Sequence, residues 1–176
     1  MKKTIKRVPA AKALTFLCVL IALVLQASVV HTQPSTRALK LYYGAARGDT
    51  FLLSTAQSKT TAQDAFYQLS RVEGYLFTTK ISGTVPLRLY YLDDTGDNYS
   101  TTAGEGDREA KTFGYTLVRE EGFIYSNSKP GTVPLKLFYS DANSDNYTTA
   151  TADGESEALA AGYHFVRIEG YVIPAP

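Results

Sequence analysis

Three aspartates spaced 48 residues apart, Asp49, Asp97 and Asp145, are the first residues whose type and spacing suggest chemistry. Two of them open an Asp-Asn-Tyr triplet, Asp97-Asn98-Tyr99 and Asp145-Asn146-Tyr147. A carboxylate supplies acceptors, and the neighbouring amide supplies a donor and an acceptor, a combination suited to sugar hydroxyls. Tyr90 and Phe138 lie nearby in sequence and offer ring faces for stacking. The two triplets with Tyr90 and Phe138, eight residues, form the candidate ligand-binding set. The competing reading is structural, because Asp in a turn commonly bonds its own backbone.

A second recurring pair is Arg71/Glu73, Arg119/Glu121 and Arg167/Glu169. Residues two apart on a strand share a face, so each arginine can reach its carboxylate. A threefold recurrence of such a pair reads first as scaffold, an ion pair fixing the bend of each unit, and second as a ligand contact. Tyr67, Tyr115 and Tyr163 fall on the same alternation.

Other chemistry finds no support. Asp141, Asn143 and Asp145 alternate as a calcium loop begins, but Asn146 replaces the usual glycine and Ala152 stands at the twelfth position. No metal site and no cofactor are therefore expected. Only His31 and His164 are available, which argues against a histidine-ligated metal or a histidine-based triad. Glu120 and Glu121 point to opposite faces of a strand and do not form an acid–base pair. The sequence is read as non-catalytic. Asn98 and Asn146 also sit in formal glycosylation acceptors, on equivalent turns.

The elements that must position these residues come from a gapless repeat. Segments 37–84, 85–132 and 133–176 superpose without insertion, and the last two agree at 19 of 44 shared positions. Within a unit, VPLRLYYLDD alternates Leu87, Leu89 and Tyr91 against Arg88 and Tyr90, the period of a half-buried strand. A turn, TGDN, leads to the β-rich NYSTT. EGDREAKTF reads as a short helical turn ended by Gly114. YTLVREEGFIYS reads as two short strands meeting at Gly122, where a close backbone approach is expected. About four short strands per unit in three units predict an all-β, β-trefoil-like domain, closed so that no sheet edge is left free.

Residues 1–35 are different. Five basic residues (Lys2, Lys3, Lys6, Arg7 and Lys12) precede an uncharged apolar run from Ala13 to Val30. This is the pattern of an export signal, and the run is also long enough to serve as an uncleaved anchor. Without this segment, 13 basic residues face 17 acidic ones, and the single Cys is lost with it. An acidic domain from 36 to 176 disfavours nucleic acid and anionic lipid as partners. Membrane attachment is expected only if the N-terminal segment stays uncleaved. The expected location is secreted or cell-envelope.

The units PLRLYYLDDTGDNYSTT…FGYTLVREEGF and PLKLFYSDANSDNYTTA…AGYHFVRIEGY resemble a family of secreted triplicated repeats of unknown function. Its units read L-Y-R-x-Y-N-x-x-T-G-D-H-F-Y-T-T, then G-Y-x-Y-E-G-I-x-G-Y-V. The resemblance covers about residues 37–176 and implies an exported binding or adhesion module with no catalytic residue. The chain departs from the pattern at the His after Asp, which is Thr50, Asn98 and Asn146 here. Repeat 1 departs most, with Phe51-Leu52-Leu53 in place of the Tyr-x-Thr segment. Taken together, the expectation is a module that binds polysaccharide or cell-surface glycan. The alternative is a protein-interaction or inhibitory module of the trefoil type.

Overall fold

A computed structural model describes residues 33–46, 48–56, 62, 66–102 and 104–176. The export segment expected over 1–35 lies almost wholly outside the described residues. Among the described residues, no helix is long and apolar enough to cross a membrane.

Each unit supplies three strands. Unit 1 gives β1 (Thr36–Gly44), β2 (Asp49–Leu53) and β3 (Gln68–Phe77). Unit 2 gives β4 (Thr84–Leu92), β5 (Asp97–Thr102), the helix α1 (Glu105–Thr112) and β6 (Thr116–Tyr125). Unit 3 gives β7 (Val133–Ser140), β8 (Asp145–Thr149), the helix α2 (Ala152–Ala160) and β9 (His164–Val172). In every unit the first strand is central, pairing antiparallel with the other two. The whole is a mostly β fold, a nine-stranded antiparallel sheet with two short helices among the described residues.

The three long strands bridge one another cyclically. Phe77 pairs with Phe123, Tyr125 with Tyr171, and Ile173 with Tyr75. The last bridge has both hydrogen bonds, Tyr75 N to Ile173 O at 2.7 Å and Ile173 N to Tyr75 O at 3.1 Å. These contacts occupy equivalent repeat positions, so the units are related by a pseudo-threefold axis. Around it pack Leu39, Leu87 and Leu135 with Leu76, Ile124 and Val172, all essentially inaccessible. Burying a side chain of this size contributes roughly 2 kcal/mol, which favours closure of the three units on one another.

The count of about four strands per unit is corrected to three. The segment read as two strands meeting at Gly122 is one ten-residue strand, β6. Gly122 carries it through with φ 147°, and a Cβ there would lie 2.4 Å from Leu76 Cδ1 and 2.7 Å from Phe77 O. Gly74 and Gly170 make the same approach to Ile173 O and Tyr125 O. The expected close contact is present, but the strand does not break there. The helical turn is found as α1 in unit 2 and recurs as α2 in unit 3, where Thr151 caps it by accepting from Gly154 N at 3.2 Å.

Tyr91 and its equivalents also differ from expectation. Leu87 and Leu89 face the core, but Tyr43 is 44% exposed and Tyr91 is half-buried. Tyr90, on the supposedly outward face, is buried instead, because α1 covers that face and Asp107 Oδ1 accepts from the Tyr90 hydroxyl at 2.7 Å.

Candidate functional site

The turns between first and second strands deliver Asp49, Asp97 and Asp145 to one place. One carboxylate oxygen from each lies within 4.8 Å of the others, and all three residues are at least 94% buried. Each carboxylate is held in the same way. Tyr67, Tyr115 and Tyr163 donate their hydroxyls to Oδ2 of the Asp in their own unit. The next unit adds an amide: Asn98 Nδ2 donates to Asp49 Oδ2 at 2.7 Å, and Asn146 Nδ2 to Asp97 Oδ2 at 2.7 Å. Thr50 occupies the third equivalent position, and its hydroxyl is buried without a partner. Asp49 Oδ1 is likewise buried and unpaired.

A polar cavity of about 220 Å³ opens beside the carboxylates. Among the described residues its walls are these three Asp with Gly48, Thr95, Gly96, Asn143 and Ser144, none of them basic. Uncompensated negative charge in a dry site favours protonation. Burial pushes Asp49 up to about 6, against the opposing effect of the Tyr67 and Asn98 hydrogen bonds. Burial, reinforced by the charges of Asp49 and Asp97, pushes Asp145 up to about 9.

The candidate ligand residues are thus placed differently from the sequence expectation. Asp97, Asp145, Asn146, Tyr99 and Tyr147 are buried, and Asn98 is half-buried. The three turns converge on one site. Tyr90 and Phe138 are 2% and 1% exposed, so neither ring has a free face for stacking. Phe138 packs edge-on against Phe165, with centroids 5.8 Å apart. Tyr99 and Tyr147 instead use their hydroxyls, donating to Glu109 at 3.0 Å and Glu157 at 3.1 Å.

The Arg–Glu pairs form as expected, Nε to Oε1 at 2.7, 2.7 and 2.8 Å. Their geometry goes further than an ion pair within one bend. The other oxygen of each glutamate crosses to another unit. Glu73 Oε2 accepts from Thr149 Oγ1 and Ala150 N, both at 2.8 Å. Glu121 Oε2 accepts from Ser54 N at 2.7 Å, and Glu169 Oε2 from Thr102 N at 2.9 Å. Arg71 also binds Glu157 and Tyr147, and Arg167 binds Glu109 and Tyr99. The arginines do not touch the turn aspartates. Sequence reasoning missed the Tyr67, Tyr115 and Tyr163 hydroxyls as aspartate partners, although their 48-residue recurrence beside that of Asp was a usable signal.

Two larger grooves flank the axial cavity, about 400 Å³ between units 2 and 3 and about 420 Å³ between units 3 and 1. They are built from equivalent residues. Tyr99 in the first corresponds to Tyr147 in the second, Tyr115 to Tyr163, Leu137 to Leu41, and Tyr139 to Tyr43. The first groove adds the exposed Phe113 and His164, the latter 3.6 Å from Asp141.

Comparison with known proteins gives one match. Residues 37–173 match a family described as a domain of unknown function, DUF5648, and the chain belongs to that family. No curated protein and no solved structure matches.

Proposed function

We propose that this member of DUF5648 is an exported, non-catalytic binding module for carbohydrate or another cell-surface polymer. Its ligand would sit in the inter-unit grooves beside the Asp-containing turns. The observation that carries this reading is the recurrence of one groove at two unit boundaries with equivalent walls. Pockets of several hundred Å³ with mostly apolar walls and a few polar groups suit small-ligand recognition. Tyr139 and Tyr43 each supply a partly exposed aromatic side chain at equivalent positions, with a hydroxyl for sugar contact. Two equivalent sites on one body would give avidity on a polymer. Export rests on the basic and apolar segments of residues 1–35, and the non-catalytic reading on the residue types in the sequence. The cyclic three-unit arrangement is read as trefoil-like.

The test is retention of the purified protein on a glycan array and on insoluble polysaccharides, with Tyr43→Ala plus Tyr139→Ala as the comparison. Loss of binding with an unchanged melting temperature supports the grooves. Undiminished binding in the double variant removes them from the mechanism.

A protein partner is the second reading. It is favoured by Leu117 and Val118 on β6 and by Phe165, Val166 and Ile168 on β9, all at least 39% exposed. This reading expects no retention on any glycan and a protein that co-purifies through those strands. Leu117→Ser plus Phe165→Ser would then release that protein.

A further inference from the structure

Three carboxylates crowded into one buried site must be neutralised by protons, by neighbouring cations or by a bound ion. The Oδ2 atoms of Asp49, Asp97 and Asp145 are engaged by tyrosine hydroxyls. These are neutral donors, which orient a carboxylate without cancelling its charge. Among the described residues, the cavity wall contains no basic side chain. Asp49, 4% exposed, lines that cavity and leaves Oδ1 with no hydrogen-bond partner. A buried acceptor without a donor is costly, so its presence in the wall asks for an occupant.

We infer that Asp49, Asp97 and Asp145 form a single calcium site on the pseudo-threefold axis. Three oxygens no more than 4.8 Å apart leave a point within about 2.8 Å of all of them. Calcium–oxygen distances are about 2.3–2.6 Å, so a movement of a few tenths of an ångström completes the contact. Magnesium requires about 2.0–2.1 Å and a stricter octahedron, which this spacing serves less well. Zinc favours nitrogen and sulfur ligands, and neither is present in the cavity. Calcium takes six to eight oxygens, and the open side of the cavity, with Thr95, Asn143 and Ser144 in its wall, leaves room for water and side-chain oxygens. The site differs from a contiguous calcium loop because each unit contributes one ligand. Such an ion would tie the three units together at their turns.

The tyrosines make a direct test. The chain has no Trp and 13 Tyr, and three of those Tyr bond the ligand carboxylates. Chelator-treated full-length protein is titrated with terbium under tyrosine excitation, then with calcium as competitor. The expected results are sensitised emission saturating at one ion per chain, displacement by calcium, and a calcium dissociation constant of about 10⁻⁵–10⁻³ M. Calcium should also raise the melting temperature by on the order of 5 °C at saturation. Asp97→Asn and Asp145→Asn keep the side-chain shape and should each weaken binding at least tenfold, while Glu120→Gln on the exposed part of β6 should not. The inference is overturned if wild-type protein shows neither emission nor a thermal shift at about 10 mM calcium. It is equally overturned if the aspartate variants bind as the wild type does. No glycan enters this experiment, so it is independent of the groove reading.

Discussion

A carboxylate buried against two others is easier to fold when protonated, and this sets a pH dependence opposite to that of most proteins. Asp49 is pushed up to about 6 and Asp145 to about 9, each chiefly by burial. Among the described residues, the charged and titratable groups facing them are Asp97 and the hydroxyls of Tyr67, Tyr115 and Tyr163. A raised acid binds more protons when folded than when unfolded. Its stabilising effect is therefore complete below about pH 4 and is lost as pH rises through 6 and then 9. In the presence of a chelator, the melting temperature should fall from pH 5 to pH 9.5, and Asp145→Asn should flatten the fall. A wild-type melting temperature that rises over that range would contradict this.

The Arg–Glu pairs give a second prediction at this scale. Glu169 holds Arg167 and three groups of unit 2 while 6% exposed, so Glu169→Ala should cost about 3–5 kcal/mol in urea unfolding. Arg167→Lys should cost more than Arg119→Lys. Arg167 also grips Tyr99 and Glu109, whereas unit 1 offers Arg119 the hydroxyl-free Phe51 at the position of that tyrosine. The pairs were legible because residues two apart on a strand share a face. The aspartate cluster was not, because no local spacing reveals that three turns 48 residues apart meet.

Elements were legible where one period held throughout. The Leu-x-Leu strands and the helix ended by Gly114 follow from local rules. Two features depended on tertiary contact. Tyr90 reads as outward by alternation, but a helix laid over that face buries it. Gly122 reads as a break because glycine in a strand often marks one, yet here it admits the neighbouring strand. Gly106 plays a similar part for α1: a Cβ would fall 1.6 Å from Thr101 Oγ1, so glycine lets the helix sit on β5. Gly122→Ala should therefore destabilise by about 2–3 kcal/mol through displaced Leu76 and Phe77 backbone, measured by denaturant unfolding. A change under about 0.5 kcal/mol would contradict a close crossing of the two strands at Gly122.

For the whole molecule, the gapless repeat made the triplication and its core leucines visible. The sheet order was not visible, because pairing between units rests on single bridges that carry no sequence signature. The cyclic direction of the glutamate contacts has a consequence for assembly. Unit 1 depends on unit 3, unit 2 on unit 1, and unit 3 on unit 2. No unit satisfies both oxygens of its own buried glutamate. A 48-residue peptide with the sequence of unit 2 should thus be unfolded when dilute and should fold only as a homotrimer, with a melting temperature that rises with concentration. Analytical ultracentrifugation and circular dichroism would show this, and a folded monomer would refute it. The single chain would then be a fused trimer. Covalent linkage keeps the three copies together at any dilution, and this would free one of them to drift. Repeat 1, with Phe51 and Thr50 in place of Tyr and Asn, has the marks of such a copy.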